Sequence, residues 1–236
     1  MFHDEPKLRR RPTPTRRRRA ARRRRTADDF VDKAMALLEQ HGSHSVTARR
    51  LAKEMKLSQM ALYRHFETMD HLMAVVWNRG FAQLGEYVDE MDEAAGRGLK
   101  GFRASLKAYA RFGVEHPWLY RFLFAPGPRP EVFGLPNHGL VALQKLHGRL
   151  TDLKREGYVA GGDDLAAIAL HLWFLHHGLT TLAISGQVPK VVNVELNELI
   201  ESTSDRALEC FGVELQSQTE AQMPSGGVPR GSSPSL

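Results

Sequence analysis

Residues 46–66 read V-T-A-R-R-L-A-K-E-M-K-L-S-Q-M-A-L-Y-R-H-F, and this run decides the fold. After Thr47, a residue suited to cap a helix, Leu51, Ala52 and Met55 recur at helical spacing. One apolar face therefore belongs to a helix from Thr47 to Met55, and Arg49, Arg50 and Lys53 point elsewhere. Lys56-Leu57-Ser58 breaks the pattern, with Leu57 expected to be buried between helices and Ser58 placed to cap a new start. Leu62 and Phe66, one turn apart, then form the inward stripe of a second helix from Ser58 to His65. Two short helices around a tight turn, the second with its polar residues gathered at its start, are the layout of a helix-turn-helix that reads DNA. Gln59, Met60 and Ala61 would meet base edges first, with Tyr63 and His65 flanking the stripe. Gln bonds adenine in a bidentate way, and Met60 and Ala61 are suited to thymine methyls.

Residues from Thr26 to Trp77 resemble the DNA-binding domain of the tetracycline-repressor (TetR) family of bacterial regulators. The run A-L-Y-R-H-F, preceded by Thr47-x-x-x-Leu51-Ala52, carries the resemblance. It implies a first helix over Ala27–His41, where Phe30, Ala34, Leu37 and Leu38 make an apolar stripe and Gly42 suits a C-terminal stop. It also implies that Thr47, Tyr63 and His65 hold phosphates, while Arg49 and Gln59 reach base edges. Three positions depart from the family pattern. Lys56 stands where Gly is common, which costs strain if the turn needs a positive φ. Met60 stands where Gly or Pro is frequent, and Met69 stands where a Lys usually touches phosphate.

Charge is distributed unevenly. Residues 1–25 hold Lys7 and eleven Arg against Asp4 and Glu5, a net of +10 where the whole chain carries +6, so the remainder stands at −4. Two basic blocks flank a Pro-Thr-Pro hinge, and a segment with so few apolar groups is expected to stay disordered until it meets phosphate. Arg22, Arg23, Arg24 and Arg25 lead directly into the first helix. They are placed to follow the DNA backbone or enter the adjacent minor groove, or else to add non-specific affinity alone. No apolar segment of the secretory type follows, and the resemblance implies a bacterial cytoplasm. The lone Cys210 excludes an internal disulfide framework and fits a reducing compartment; between Leu208 and Phe211 it reads as a buried core thiol.

At 236 residues the chain has room for a small DNA-binding domain and one larger helical domain. Past the helix-turn-helix, Thr68 or Asp70 can cap a long helix through Leu72, Val75, Val76, Phe81, Leu84, Val88 and Met91. Gly96 and Gly98 mark a loop, Phe102 to Phe112 gives another stripe, and Pro117 fits the first turn of a helix. The Pro/Gly-dense stretch from Pro126 to Pro136 reads as a loop, and helical patterns resume near Gly139–Glu156, Asp163–Ser185 and Asn193–Phe211. The fold class is therefore all-α: an N-terminal three-helix helix-turn-helix domain joined to a larger helical ligand-binding and dimerisation domain. The expected divisions are an Arg-rich arm over 1–25, a reading domain over 26–73, an effector-binding and dimerisation domain over 74–213, and a disordered tail over 214–236.

The C-terminal half resembles the TetR regulators whose effector domain carries a Trp-His-Gly motif, here Trp173, His177 and Gly178 within L-W-F-L-H-H-G. That resemblance implies a homodimer whose two-fold axis lies at the Gly139–Glu156 and Asp163–Ser185 helices. The run from Leu165 to Ile184 is apolar on most sides and needs burial on most sides, but His171, His176 and His177 interrupt it as a membrane span. Those histidines lie five and six residues apart rather than three or four, so they read as hydrogen-bonded core or interface groups and not as metal ligands. Trp118, Phe122, Trp173, Phe174 and His177, with Tyr120 and Phe124 nearby, are the candidates to line a pocket for an unknown small-molecule effector. Neither a catalytic motif nor a cofactor motif stands out. The reading is a sequence-specific, ligand-released homodimeric repressor on a near-palindromic double-stranded operator, with no membrane partner. An architectural DNA binder driven by the arm, and an enzyme or carrier using the helical cavity, are the alternatives.

Overall fold

A computed structural model describes residues 14–159, 164–188 and 195–210, with side chains from residue 27 onward. Among these residues the regular structure is helical: α1 (Pro14–His41), α2 (Ala48–Met55), α3 (Gln59–Tyr63), α4 (Met69–Ala94), α5 (Gly98–Glu115), α6 (Pro117–Phe124), α7 (His138–Arg155), α8 (Leu165–Ile184) and α9 (Leu196–Cys210). Short 3-10 turns cover Ser43–Ser45 and Pro130–Phe133.

The punctuation of the sequence sets these limits. The N-terminal starts carry their caps: Thr68 Oγ1 accepts the His71 N–H at 3.0 Å, Asn137 caps α7 through the Leu140 N–H at 2.9 Å, and Asp164 caps α8 through the Ala166 N–H at 2.9 Å. Gly42 ends α1 with φ 79°, and Pro117 occupies the first turn of α6. Ser58 precedes α3, but its side chain makes no cap bond. Lys56 ends α2 at φ 55° and ψ 41°, so the turn does demand the left-handed conformation that glycine adopts most cheaply.

Three expectations are corrected. The first helix begins at Pro14, not Ala27, which takes the second basic block and the backbone of Arg22–Arg25 onto α1. Arg and Ala are good helix formers, and extending a helix already anchored by packing avoids the nucleation step. Residues 1–13 and the expected tail lie outside the described residues. Leu57 is not buried but 41% exposed, because the turn carries it outward. Cys210 is exposed at the end of α9, one turn beyond the buried Ala207 and Leu208.

Two apolar cores organise the chain. The first gathers Phe30, Leu38, Leu51 and Leu62 from α1–α3 with Leu72, Val76 and Phe81 of α4, Phe112 of α5, and Leu119, Tyr120 and Leu123 of α6. The second joins Phe102 and Leu106 of α5 to Leu150 and Leu153 of α7, Ile168 and Leu172 of α8, and Leu208 of α9. The loop from Pro126 to Pro136 is more ordered than its composition implies. Its 3-10 turn packs on α4, and Phe133 stacks on His71 at 4.8 Å and 7°.

Candidate DNA-reading face and internal cavity

The α2–α3 pair presents one polar face. Arg49, Ser58 and Gln59 are exposed, Met60 is 70% exposed and Tyr63 43% exposed. Thr47 accepts the Arg50 N–H at 3.2 Å and so fixes the start of α2. Arg50 is turned to Glu54 at 3.2 Å, and Lys33 of α1 reaches the same carboxylate at 2.9 Å. Hydrogen bonds from Lys33 first and Arg50 second hold the Glu54 carboxyl below its ordinary value. The arginine turned outward at this face is therefore Arg49. Ala61 departs from its expected role: it is 2% exposed and, with Leu62, belongs to the core beneath α3. Of the two apolar residues expected to meet a base, Met60 is the exposed one. His65 is half-buried, its ring 6.1 Å from Phe30 and 6.5 Å from Phe66. The side chains of Arg22–Arg25 lie outside the described ones.

The reading face is tied to the rest of the molecule through α4 and α6. Arg79 of α4 reaches Asp32 at 3.1 Å and Asp28 at 3.7 Å on α1. At the head of α6, His116 Nδ1 stands 3.0 Å from the Glu39 carboxylate. Trp118 is 40% exposed and lies over Gly42, where a built Cβ would stand only 3.0 Å from the indole ring. Trp118 thus wedges α6 against the end of α1, away from the cavity described below, and the Arg121 guanidinium sits 5.4 Å from its ring centroid.

Between the two cores lies a cavity of about 410 Å³. Phe81, Leu84 and Leu123 of the first core face it, as do Phe102, Leu106 and Leu172 of the second, with Trp77, Tyr109, Phe124 and Trp173 completing an aromatic wall. Of the five residues expected to line a pocket, Trp173 does. Phe122 is buried in the first core, Phe174 is 57% exposed on the outside of α8, and His177 lies behind the wall. Sequence reasoning missed the α4, α5 and α7 contributions. The signal that points to them is the breadth of apolar surface on α4, whose Trp77, Phe81, Leu84 and Val88 serve a core and a cavity together.

Behind Trp173 runs a polar relay. Trp173 Nε1 donates to the Tyr109 hydroxyl oxygen at 3.1 Å, the Tyr120 hydroxyl donates to the same oxygen at 3.0 Å, and His177 Nδ1 stands 2.7 Å from Tyr120 Oη. Burial pushes the Tyr120 phenol up to about 12 and raises Tyr109 well above its ordinary value. Burial also lowers His177 and His176 below theirs. The neutral His176 ring donates from Nδ1 to the Leu172 carbonyl at 2.7 Å, and its Nε2 stands 2.9 Å from Ser204 Oγ on α9. This is a hydrogen-bonded core histidine, and among the described residues no cluster has the makings of a metal site.

Comparison with known proteins agrees with this division. Residues 30–76 match the model for bacterial regulatory proteins of the tetR family, and residues 102–207 match a tetracyclin repressor-like C-terminal domain. No curated protein matches the chain. Among solved structures, a protein of unknown function from Rhodococcus sp. RHA1 is similar at 24% identity and TM-score 0.69, covering 79% of this chain and 95% of its own. A TetR-family transcriptional regulator from Pectobacterium atrosepticum is similar at 20% identity and TM-score 0.61, covering 83% and 97%. The transcriptional regulator FadR from Bacillus subtilis, in complex with stearoyl-CoA, is similar at 16% identity and TM-score 0.58, covering 75% and 95%. With one match spanning the reading face and the other the helices around the cavity, the chain belongs to the TetR family and is a DNA-binding transcriptional regulator.

Proposed function

We propose that the protein is a homodimeric repressor of the bacterial cytoplasm that holds a near-palindromic operator and releases it when a small molecule fills the cavity. The observation that carries this reading is the double use of α4. Its first turns, with Leu72 and Val76, pack against the reading helices, and its later turns, with Phe81, Leu84 and Val88, wall the cavity. A molecule that moves the wall moves the reading face. Ligand and operator affinities are then reciprocally coupled through one element.

Dimerisation through α7 and α8 is supported by what these helices leave uncovered. Leu140 and Val141 of α7 and Leu170, Phe174, Leu175 and Leu182 of α8 are exposed, a patch of the kind that marks an interface. Gly148 and Gly178 lie among them, and a Cβ built at either meets nothing within 4 Å, leaving room for a second helix pair to approach closely. α8 has the length and composition of a membrane span, yet Ile168, Ala169 and Leu172 are buried against α5, α7 and α9. In the dimer each reading face takes one half-site. Gln59 and Arg49 reach base edges, Met60 touches a thymine methyl, and Thr47, Ser58, Tyr63 and His65 hold phosphates. The basic block at the start of α1 adds phosphate contacts. FadR of Bacillus subtilis, in its stearoyl-CoA complex, supports a small-molecule effector here.

Selection from a random duplex library at near-physiological salt, with the full chain and with Gln59→Ala, tests the reading. An inverted repeat whose half-site centres lie one helical turn apart or a multiple of it, about 34–36 Å per turn, is expected. Gln59→Ala is expected to weaken that operator by about 1–3 kcal/mol and relax one position. A pool without a motif, bound equally well by both chains, overturns it in favour of a sequence-indifferent DNA binder driven by the basic arm.

A further inference from the structure

Along the cavity, the seam between α4 and α7 is pinned at two ends. At one, a Cβ built at Gly139 would stand 2.8 Å from the Trp77 ring, and the His138 N–H donates to Asn78 Oδ1 at 3.2 Å. Trp77 is held in turn, its Nε1 donating to the Leu123 carbonyl at 2.9 Å. At the other end Arg149 reaches Asp92 at 2.7 Å, with side chains 27% and 14% exposed. There α5 closes over Asp92: a Cβ built at Gly101 would meet its carboxylate oxygen at 2.1 Å and its backbone oxygen at 2.8 Å. Between the pins the seam is lightly filled, since a Cβ built at Gly85 of α4 meets nothing within 4 Å and Ala142 of α7 is small. Among the described residues that line the cavity, Asp89 and Lys145 are the two exposed ones, and they pair with each other across this stretch at 2.5 Å. Asp89 and Asp92 lie one turn apart on α4, as do Lys145 and Arg149 on α7, so like charges face each other along each helix and the ion pairs form across the seam.

Resting on the reading of this cavity as the effector site, we propose that the effector enters between α4 and α7 through the stretch spanned by Lys145 and Asp89, and that this ion pair is the latch on the entrance. The cost of parting each tie decides where the seam opens. Separating Arg149 from Asp92 leaves two partly buried charges without their partners, and moving Gly139 unpacks an indole ring from its apolar seat. The Lys145–Asp89 pair is different, because its side chains are 53% and 54% exposed. Water takes over both charges when they part, so such a pair restrains its helices by about fivefold at most. The latch therefore yields first, while the pins on either side keep α4 and α7 together. Solvent also reaches this tie, so salt weakens it more than it weakens the pair beneath α5.

The experiment uses the full-length chain and N-phenyl-1-naphthylamine, an uncharged apolar dye that brightens on leaving water, with association and release followed by stopped flow. Asp89→Asn and Lys145→Gln are each expected to speed association and release together, by up to about fivefold. The double variant is expected to be no faster than the faster single one, the mark of two residues acting as a pair. From about 0.1 M to about 1 M salt the screening length falls from about 10 Å to about 3 Å, and over that range the unaltered chain is expected to close the gap on the variants. The dye carries no charge, so this convergence reports the latch and not attraction of the probe. Arg155→Gln removes an exposed ion pair to Asp152 that lies within α7 and crosses no seam, and it is expected to leave both rates as they are. Rates indifferent to Asp89→Asn and Lys145→Gln, effects of the two that simply add, or an equal response to Arg155→Gln overturns the latch and leaves the cavity as a ligand site. Gly85→Leu, which fills the cavity, is expected to weaken the dye by about tenfold or more. A dye that does not bind the unaltered chain, or that binds Gly85→Leu equally well, overturns the cavity as a ligand site and the entrance with it.

Discussion

The first core crosses from the reading helices through α4 into α6, whereas the second holds α5, α7, α8 and α9 to one another and, among the described residues, takes none from α1–α3. The cavity lies where the two part, walled by residues of both. The difference teaches where the mechanical boundary of this protein is. A division by motif falls near residue 73, inside α4, but Leu72, Val76, Phe81 and Leu84 on either side of it share one core. The break in packing is the seam between α4 and α7, and the Lys145–Asp89 and Arg149–Asp92 pairs cross it. α5 serves both sides, with Phe112 in the first core and Phe102 and Leu106 in the second.

The largest effect that can break this comparison comes from emptying each core in turn. Leu119 and Leu150 are both fully buried, and Leu119→Ala and Leu150→Ala are each expected to destabilise by about 2–5 kcal/mol. They are expected to differ in reach. In hydrogen exchange, Leu119→Ala lowers protection of the amides of α1–α3 along with α6, while Leu150→Ala lowers α5 and α7–α9 and spares the reading helices. Equal loss throughout in both variants would make the two cores one cooperative unit.

Acid sharpens the same contrast, because the histidines with lowered proton affinity, His176 and His177, both lie on α8. Their native values lie below 6.5, so below that pH the unfolded chain binds more protons than the folded one. Stability is therefore complete above about pH 6.5 and falls as the pH drops toward the lowered native values, by at most about 1.4 kcal/mol per pH unit for His176 and less for the more exposed His177. Denaturant titrations at pH 7 and pH 5.5 measure this, and His176→Gln is expected to flatten the dependence. The smallest effect belongs to the turn of the reading face. Lys56 sits at φ 55°, and Lys56→Gly is expected to raise stability by about 0.5–1 kcal/mol in a thermal melt.

Helix order was legible because its signals are local. Thr68, Gly42 and Pro117 mark ends wherever the chain packs, and the stripe of Phe30, Ala34, Leu37 and Leu38 is buried as its spacing requires. What depends on the angle between helices was not legible. Ala61 and Met60 are neighbours of similar apparent promise, yet one is buried and the other 70% exposed, and only the seating of α3 in the shared core decides which. The cavity was harder still. Trp118 and Trp173 both sit on helices rich in aromatic residues, but Gly42 opposite Trp118 provides a backbone seat for one ring, while the gap between two cores receives the other. Arg149 carries no motif; its place at the seam comes from Asp92, 57 positions away in sequence.

The most direct measurement is the operator affinity of Gly85→Leu beside Gly85→Ala. Gly85 lines the cavity, and a Cβ built there meets nothing within 4 Å, so a leucine extends into the space the effector would take. Replacing a mid-helix glycine favours the helix by up to about 1 kcal/mol, which keeps the fold intact. If filling the seam is felt at the reading face, Gly85→Leu binds the selected operator tenfold or more weakly, a loss of about 1.4 kcal/mol, while Gly85→Ala binds nearly as the unaltered chain does. A Gly85→Leu chain that melts no earlier and binds the operator with unchanged affinity would contradict the account.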